Sequence, residues 1–224
     1  MNKFPQQEQI ITSVLKGINI AQSNYSSWIA HDLYLSYAPV KFLSIHVAQE
    51  LAKIEQAPEI FIDASISDIL KSSLLKKDSY RWFMAENNIV QDVICLTLDE
   101  RFEHEDDNDS ISRVIMSIRN GVRNAQSEYI KDIEVMCKML QKEKKEDSSL
   151  DYGLFAFYLD LSNTARKKSK KRIDEIIETF DQVVSSYKNL QSSFKGGEIH
   201  TIDNVGEWCV GCYIIEPTFK IRSN

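Results

Sequence analysis

The sequence is poor in the residues that interrupt regular structure. Seven glycines and four prolines in 224 residues leave little room for long irregular regions. No apolar run approaches the roughly 18 residues that a membrane span requires, so membrane association is not expected. The opening stretch MNKFPQQEQIITSV lacks the charged-then-apolar layout of an export signal. There are four cysteines, Cys95, Cys137, Cys209 and Cys212. Reduced thiols and a cytoplasmic location are the expectation. An excess of positive charge is also missing. The formal net charge is -6, which argues against nucleic-acid binding by the whole surface and leaves only a local basic patch. No glycine-rich phosphate loop is present, because Gly196-Gly197 lacks a strand-to-helix context.

The hydrophobic fraction of 43% and the charged fraction of 27% are those of a globular chain long enough to bury a core. Ile10, Ile11, Val14, Leu15 and Ile18 recur at helical spacing and predict a helix over 6–22. The aromatic-rich SNYSSWIAHDLYLSYAP reads as a short helix or extended connection anchored by Trp28, Leu33 and Tyr34. Phe42, Leu43, Val47, Leu51 and Ile54 define a helix over 40–54, stopped by Pro58. A strand over 59–63 and a short capped helix follow. Residues 81–85 and 89–98 read as a strand pair around the turn Glu86-Asn87-Asn88.

Seven acids and one arginine between Asp99 and Asp109 read as a solvated loop. A strand at 114–119, a long helix over 124–142, a buried strand at 152–159, a helix over 166–187 and a strand at 208–216 complete the chain. This order predicts an α/β (α+β) fold with a mixed central sheet flanked by helices. Residues 1–39 are expected to form a helical extension, and residues 40–224 the core with its C-terminal helix and strand.

The stretch SRVIMSIRN is the most informative. Val114, Ile115, Met116 and Ile118 make a buried strand that emerges at Arg119 and Asn120. Ser117 and Arg119 are two apart and therefore share a face. The order of helix, antiparallel strands, long helix and buried strand resembles the PD-(D/E)XK, restriction-endonuclease-like superfamily. That resemblance covers roughly residues 40 to 160. It matches Asp92, in NIVQDVICL, to the strand Asp and Glu50, in HVAQEL, to the helix Glu. Ser117 and Arg119 stand where the superfamily's Glu-x-Lys would be. Tyr129, Lys131 and Asp132 fall on the helix that follows.

The resemblance implies a Mg²⁺ site in which carboxylates hold the metal and a lysine orients the attacking water. Ser117 removes one negative charge from that site. Arg119 stays protonated and is no base. A degenerate, non-catalytic site is therefore the expectation, with Glu50, Asp92, Ser117 and Arg119 as its remnants and no cofactor. A guanidinium still suits a phosphate or carboxylate, either a ligand's or that of Asp92 across adjacent strands. The alternative is an active Mg²⁺-dependent nuclease in which Asp92 and Glu50 are joined by Glu128 or Asp132, four apart on one helical face.

The basic segment ARKKSKKR contributes Arg166, Lys167, Lys168, Lys170, Lys171 and Arg172. Cations at a helix start oppose the helix dipole. A phosphate or a carboxylate, such as the acidic segment at 99–109, would relieve them; the alternative is a plain solvated face. Cys209-Val210-Gly211-Cys212 lacks two further zinc ligands. On a strand its cysteines face opposite sides, so they read as structural. His46 lies four residues before Glu50 on the same helical face and reads as a structural histidine.

These readings converge on a non-catalytic nuclease-like subunit. It would bind DNA, RNA or a partner protein, or self-associate, within a bacterial nucleic-acid-processing or anti-phage defence complex. The remaining reading is a purely protein-binding regulator.

Overall fold

A computed structural model describes residues 4–29, 34–76, 79–90, 93–103 and 108–218. The helices are α1 (Gln7–Trp28), α2 (Val40–Leu51), α3 (Ile66–Ser73), α4 (Tyr80–Glu86), α5 (Ser127–Leu140) and α6 (Ser169–Ser185). The strands are β1 (Glu59–Ser65), β2 (Val93–Glu103), β3 (Asn108–Arg119), β4 (Tyr152–Ser162), β5 (Leu190–Gly196), β6 (His200–Ile202) and β7 (Gly206–Pro217). They form one sheet in the order β1-β2-β3-β4-β7-β5, with β6 also on β7. Among the described strands only β3 and β4 pair in parallel. Parallel neighbours need a crossover, and α5 supplies it. No helix of the described residues is long and apolar enough to cross a membrane.

Helices cover both faces of the sheet. Phe155, Phe157 and Leu159 of β4 pack with α3, α5 and α6. Leu154, Ala156 and Tyr158 pack with α1 and α2. A strand covered on both faces is apolar throughout rather than alternating, and β4 is buried from Tyr152 to Leu161. The helix of the N-terminal extension packs directly on this sheet. Ile10, Ile11, Val14 and Ile18 of α1 are fully buried in one cluster with Met116 and Ile214. Gly17 makes this layer close: a Cβ there would lie 2.6 Å from the Val47 Cα of α2.

Several local expectations change. The helix that begins the chain runs on to Trp28, absorbing part of the aromatic connection. Trp28 is exposed and packs edge-on to Phe42, while Tyr34 is buried and donates to the Leu161 carbonyl. Leu33 lies outside the described residues. Residues 81–85 are helix, not strand. Tyr80, Phe83 and Met84 face the core at helical spacing, and Glu86-Asn87-Asn88 ends that helix instead of turning a hairpin. Asn88 has φ 48°, Ile89 N–H bonds Met84 O and Asn88 N–H bonds Ala85 O. This is the Schellman arrangement, in which Asn takes the left-handed position.

The acidic segment is not one solvated loop. β2 reaches Glu103 and β3 begins at Asn108, so residues 100–103 pair with 108–111 beyond the ends of β1 and β4. Asp99 is buried in this hairpin and accepts from Thr97 Oγ1 (3.2 Å) and Ser110 Oγ (3.4 Å). The connection after α6 contains two further strands, β5 and β6, along the edge of β7.

Candidate functional site: the end of β3 and the start of α6

Ser117 and Arg119 point to the face of the sheet that α5 covers. The crossover returns α5 directly over the end of β3 and brings Asp132 to both. Arg119 grips the Asp132 carboxylate with two hydrogen bonds, Nε to Oδ2 at 2.6 Å and Nη2 to Oδ1 at 2.8 Å. Ser117 Oγ donates a third to Oδ2 at 2.6 Å. The Asp132 side chain is 4% exposed and that of Arg119 27%. The guanidinium carbon lies 5.9 Å from the ring centroid of Tyr129, also on α5. Hydrogen bonding to Asp132 pushes the Arg119 pKa still higher, against its desolvation. Arg119 is therefore a permanent cation whose fork is already filled.

The other expected members that fall among the described residues do not join it. Glu50 is on α2, across the sheet, in the layer whose helices pack on Met116 and Ile118. Its buried carboxylate is held by Lys16 (2.8 Å) and Lys53. Those two lysines, Lys16 first, keep its carboxyl below the usual range. Asp92 lies outside the described residues, so an Asp92–Arg119 pair does too; the carboxylate that Arg119 holds is Asp132. Glu128 is exposed at the start of α5, while Asp132, four residues on, is buried.

A Mg²⁺ site does not fit these residues. Both oxygens of Asp132 are bound by an arginine and a serine, and the adjoining charge is positive. Among the described residues no three His, Cys, Asp or Glu side chains are grouped to hold a metal ion.

The basic segment is divided. Lys167 and Arg172 bind Glu175 of α6 at 2.6 and 3.4 Å. Lys168 binds Glu207 of β7 at 3.3 Å, and the other oxygen of Glu207 accepts the Ser169 N–H at 3.1 Å. Among the described residues, the anion that meets this helix start is thus a carboxylate from β7. The paired residues 100–103 and 108–111 lie at the N-terminal end of β3, whereas α6 begins after the C-terminal end of its parallel neighbour β4. Arg166, Lys170 and Lys171 are exposed, without an ion pair among the described residues.

One further pair escaped the sequence reading. Arg123 Nη2 lies 2.5 Å from Oδ2 of the fully buried Asp160, and Arg123 Nε donates to the Asp160 carbonyl at 3.2 Å. A lone acid inside YGLFAFYLDLS was the available signal, since a buried carboxylate requires a partner. Cys209 and Cys212 lie on opposite faces of β7, each buried in a different core cluster, with burial pushing both thiols up to about 12.

Compared with protein-family models, with curated proteins and with solved structures, the chain matches none.

Proposed function

We propose that this chain is a non-catalytic, nuclease-like subunit that binds nucleic acid through the cations at the start of α6. The observation that carries the non-catalytic reading is the closed triad Ser117–Arg119–Asp132. The carboxylate best placed to hold a metal beside β3 is spent on an arginine that has no exchangeable role as a base. The order of α2, three antiparallel strands, α5 and a parallel strand supports the nuclease-like reading. The exposed Arg166, Lys168, Lys170 and Lys171 support an anionic ligand, bound locally against a net charge of -6.

The experiment is a salt titration of binding to fluorescein-labelled 20-nucleotide DNA and RNA. Four phosphate contacts give a slope of log K against log salt of about -3. Neutralising Lys170 and Lys171 together reduces that slope by about 1.5. No affinity at low salt, or an unchanged slope in the variant, rejects nucleic acid as the ligand. Plasmid, linear DNA and RNA incubated with Mg²⁺ or Mn²⁺ remain intact. Cleavage that disappears in Asp92→Ala or Asp132→Ala overturns the non-catalytic reading.

A further inference from the structure

The two edges of the sheet are built differently. Among the described residues, β1 has a strand neighbour, β2, on one side only, and β5 has only β7. An open edge is a row of unpaired N–H and C=O groups, and chains blunt it with polar residues and lysine. β5 follows that rule. LQSSFKG exposes Gln191, Ser193 and Gly196, and its Lys195 is tied to Glu8. β1 does not. EIFIDAS exposes Phe61 at 45% and Ile62 at 40% in its middle. These two lie on opposite faces. Ile62 stands beside Leu96, in the cluster with α1 and α2. Phe61 stands beside Thr97, and Thr97 beside Ile115, in the cluster with α5 and α6. Ile45 of α2 is 48% exposed and lies one turn after the Lys41 that binds Asp63. It continues the apolar strip on the α2 face.

We infer that β1 is the docking edge for a second copy of this chain, paired antiparallel with its own counterpart across a two-fold axis. Opposed residues of such a pair share a face, and faces alternate along a strand. The axis therefore passes through a residue, not between two. With the axis at Ile62, Phe61 opposes Asp63. With the axis at Ile60, Phe61 opposes Glu59. With the axis at Phe61, Phe61 meets its own copy on one face, and Ile60 meets Ile62 twice on the other, flanked by both copies of Ile45. In that register β1 is its own complement, as an isologous interface requires.

The ends fit as well. This register sets Glu59 opposite Asp63 of the second copy. Asp63 has φ 55°, and its side chain turns to the α2 face, where Lys41 holds it at 2.5 Å. Glu59 stays on the face of Phe61 and is held by Arg101 at 3.3 Å. The two acids do not confront each other. Each end of the joined strands carries two anions and two cations, a neutral junction between chains of net charge -6. The contact is confined to residues 59–63 and Ile45, below the about 800 Å² per partner of a standard interface. The dimer is therefore weak, with a Kd of about 10–100 µM. It leaves the start of α6, which follows β4, uncovered, so it stands apart from the nucleic-acid reading.

The test is sedimentation velocity of the full chain, without nucleic acid, from about 5 to 500 µM, a range that brackets this Kd. Reversible monomer–dimer exchange is expected. Phe61→Lys and Ile62→Lys each place a charge on the edge; both are expected to melt like the wild type and to remain monomeric. Lys41→Glu unbalances the junction and is expected to weaken the dimer about fivefold. Mild oxidation reads the register. Phe61→Cys is expected to form an intermolecular disulfide, because its two copies face each other about 4.5–5.5 Å apart at Cβ. Glu59→Cys, opposite residue 63, is expected to form none beyond the wild-type level. A wild-type chain that stays monomeric over the whole range overturns the second copy as occupant and leaves the edge to a strand of another protein. A dimer that survives both lysine variants, or that cross-links through Glu59→Cys as readily as through Phe61→Cys, overturns the β1 pairing.

Discussion

Replacing Arg119 by Met leaves the Asp132 carboxylate in a site where it is 4% exposed, with Ser117 as its remaining hydrogen-bond donor among the described residues. Breaking a buried pair from one side costs about 3–5 kcal/mol. The lower end applies, because Arg119 is 27% exposed and water enters where its guanidinium was. The expected loss is about 3 kcal/mol, or roughly 6–12 °C in Tm for a chain of this size. The reverse change, Asp132→Leu, strands a cation that water already reaches, and costs about 1–2 kcal/mol. The double variant replaces both charges by apolar groups and is expected within about 1 kcal/mol of the wild type. Guanidinium unfolding of the four proteins closes the cycle, with a coupling energy of about 4 kcal/mol. Strictly additive single effects, or an Arg119→Met cost below about 1 kcal/mol, refute the claim that the triad is closed and structural.

Three further outcomes are expected. Gly17→Ala sets a Cβ 2.6 Å from the Val47 Cα and 2.9 Å from the His46 carbonyl; both obstacles are backbone, so a loss of about 2–3 kcal/mol by chemical unfolding is expected. Burial raises the Asp99 carboxyl above its ordinary value, with the neighbouring hydroxyls drawing it part of the way back. The folded chain therefore holds that proton more tightly than the unfolded one, and this contribution weakens as pH rises from about 3.9 through the raised folded value. Asp99→Asn is expected to be more stable than wild type at pH 7 and to lose that advantage near pH 3, as read from urea midpoints. With Cys209 and Cys212 pushed up to about 12, about one thiol in ten thousand is ionised at pH 8; a disulfide-exchange reagent is expected to leave both intact in the folded protein, and rapid modification of either contradicts their burial.

Patterns of one element at a time were legible in the sequence, because hydrophobic period and length record which faces are buried. The long apolar strand β4 and the stripes of α2, α5 and α6 declared themselves in this way. Short elements did not. The seven residues of α4 carry an apolar run that suits either period, and Asn88 serves a helix end as well as a hairpin turn. β5 and β6 lie along one edge of β7, where half of each strand meets solvent, so their composition is polar. The acidic hairpin has the composition of a loop because strands that pair only with each other need no core, and hence no apolar alternation.

The sequence alone determined that Ser117 and Arg119 share a face, that Cys209 and Cys212 do not, and that Arg119 is a cation without a base's chemistry. Each follows from strand geometry or from the group itself. Only the tertiary structure decided what those groups meet. The parallel crossover sets Asp132 over Ser117 and Arg119 from thirteen residues beyond Arg119, and the sheet places Glu50 on the far side of the same strand. The antiparallel return of β7 beside β4 brings Glu207 to a helix start thirty-eight residues before it. Partners of this kind are fixed by chain topology, and a charge carries no periodicity along the sequence to say which opposite charge will reach it.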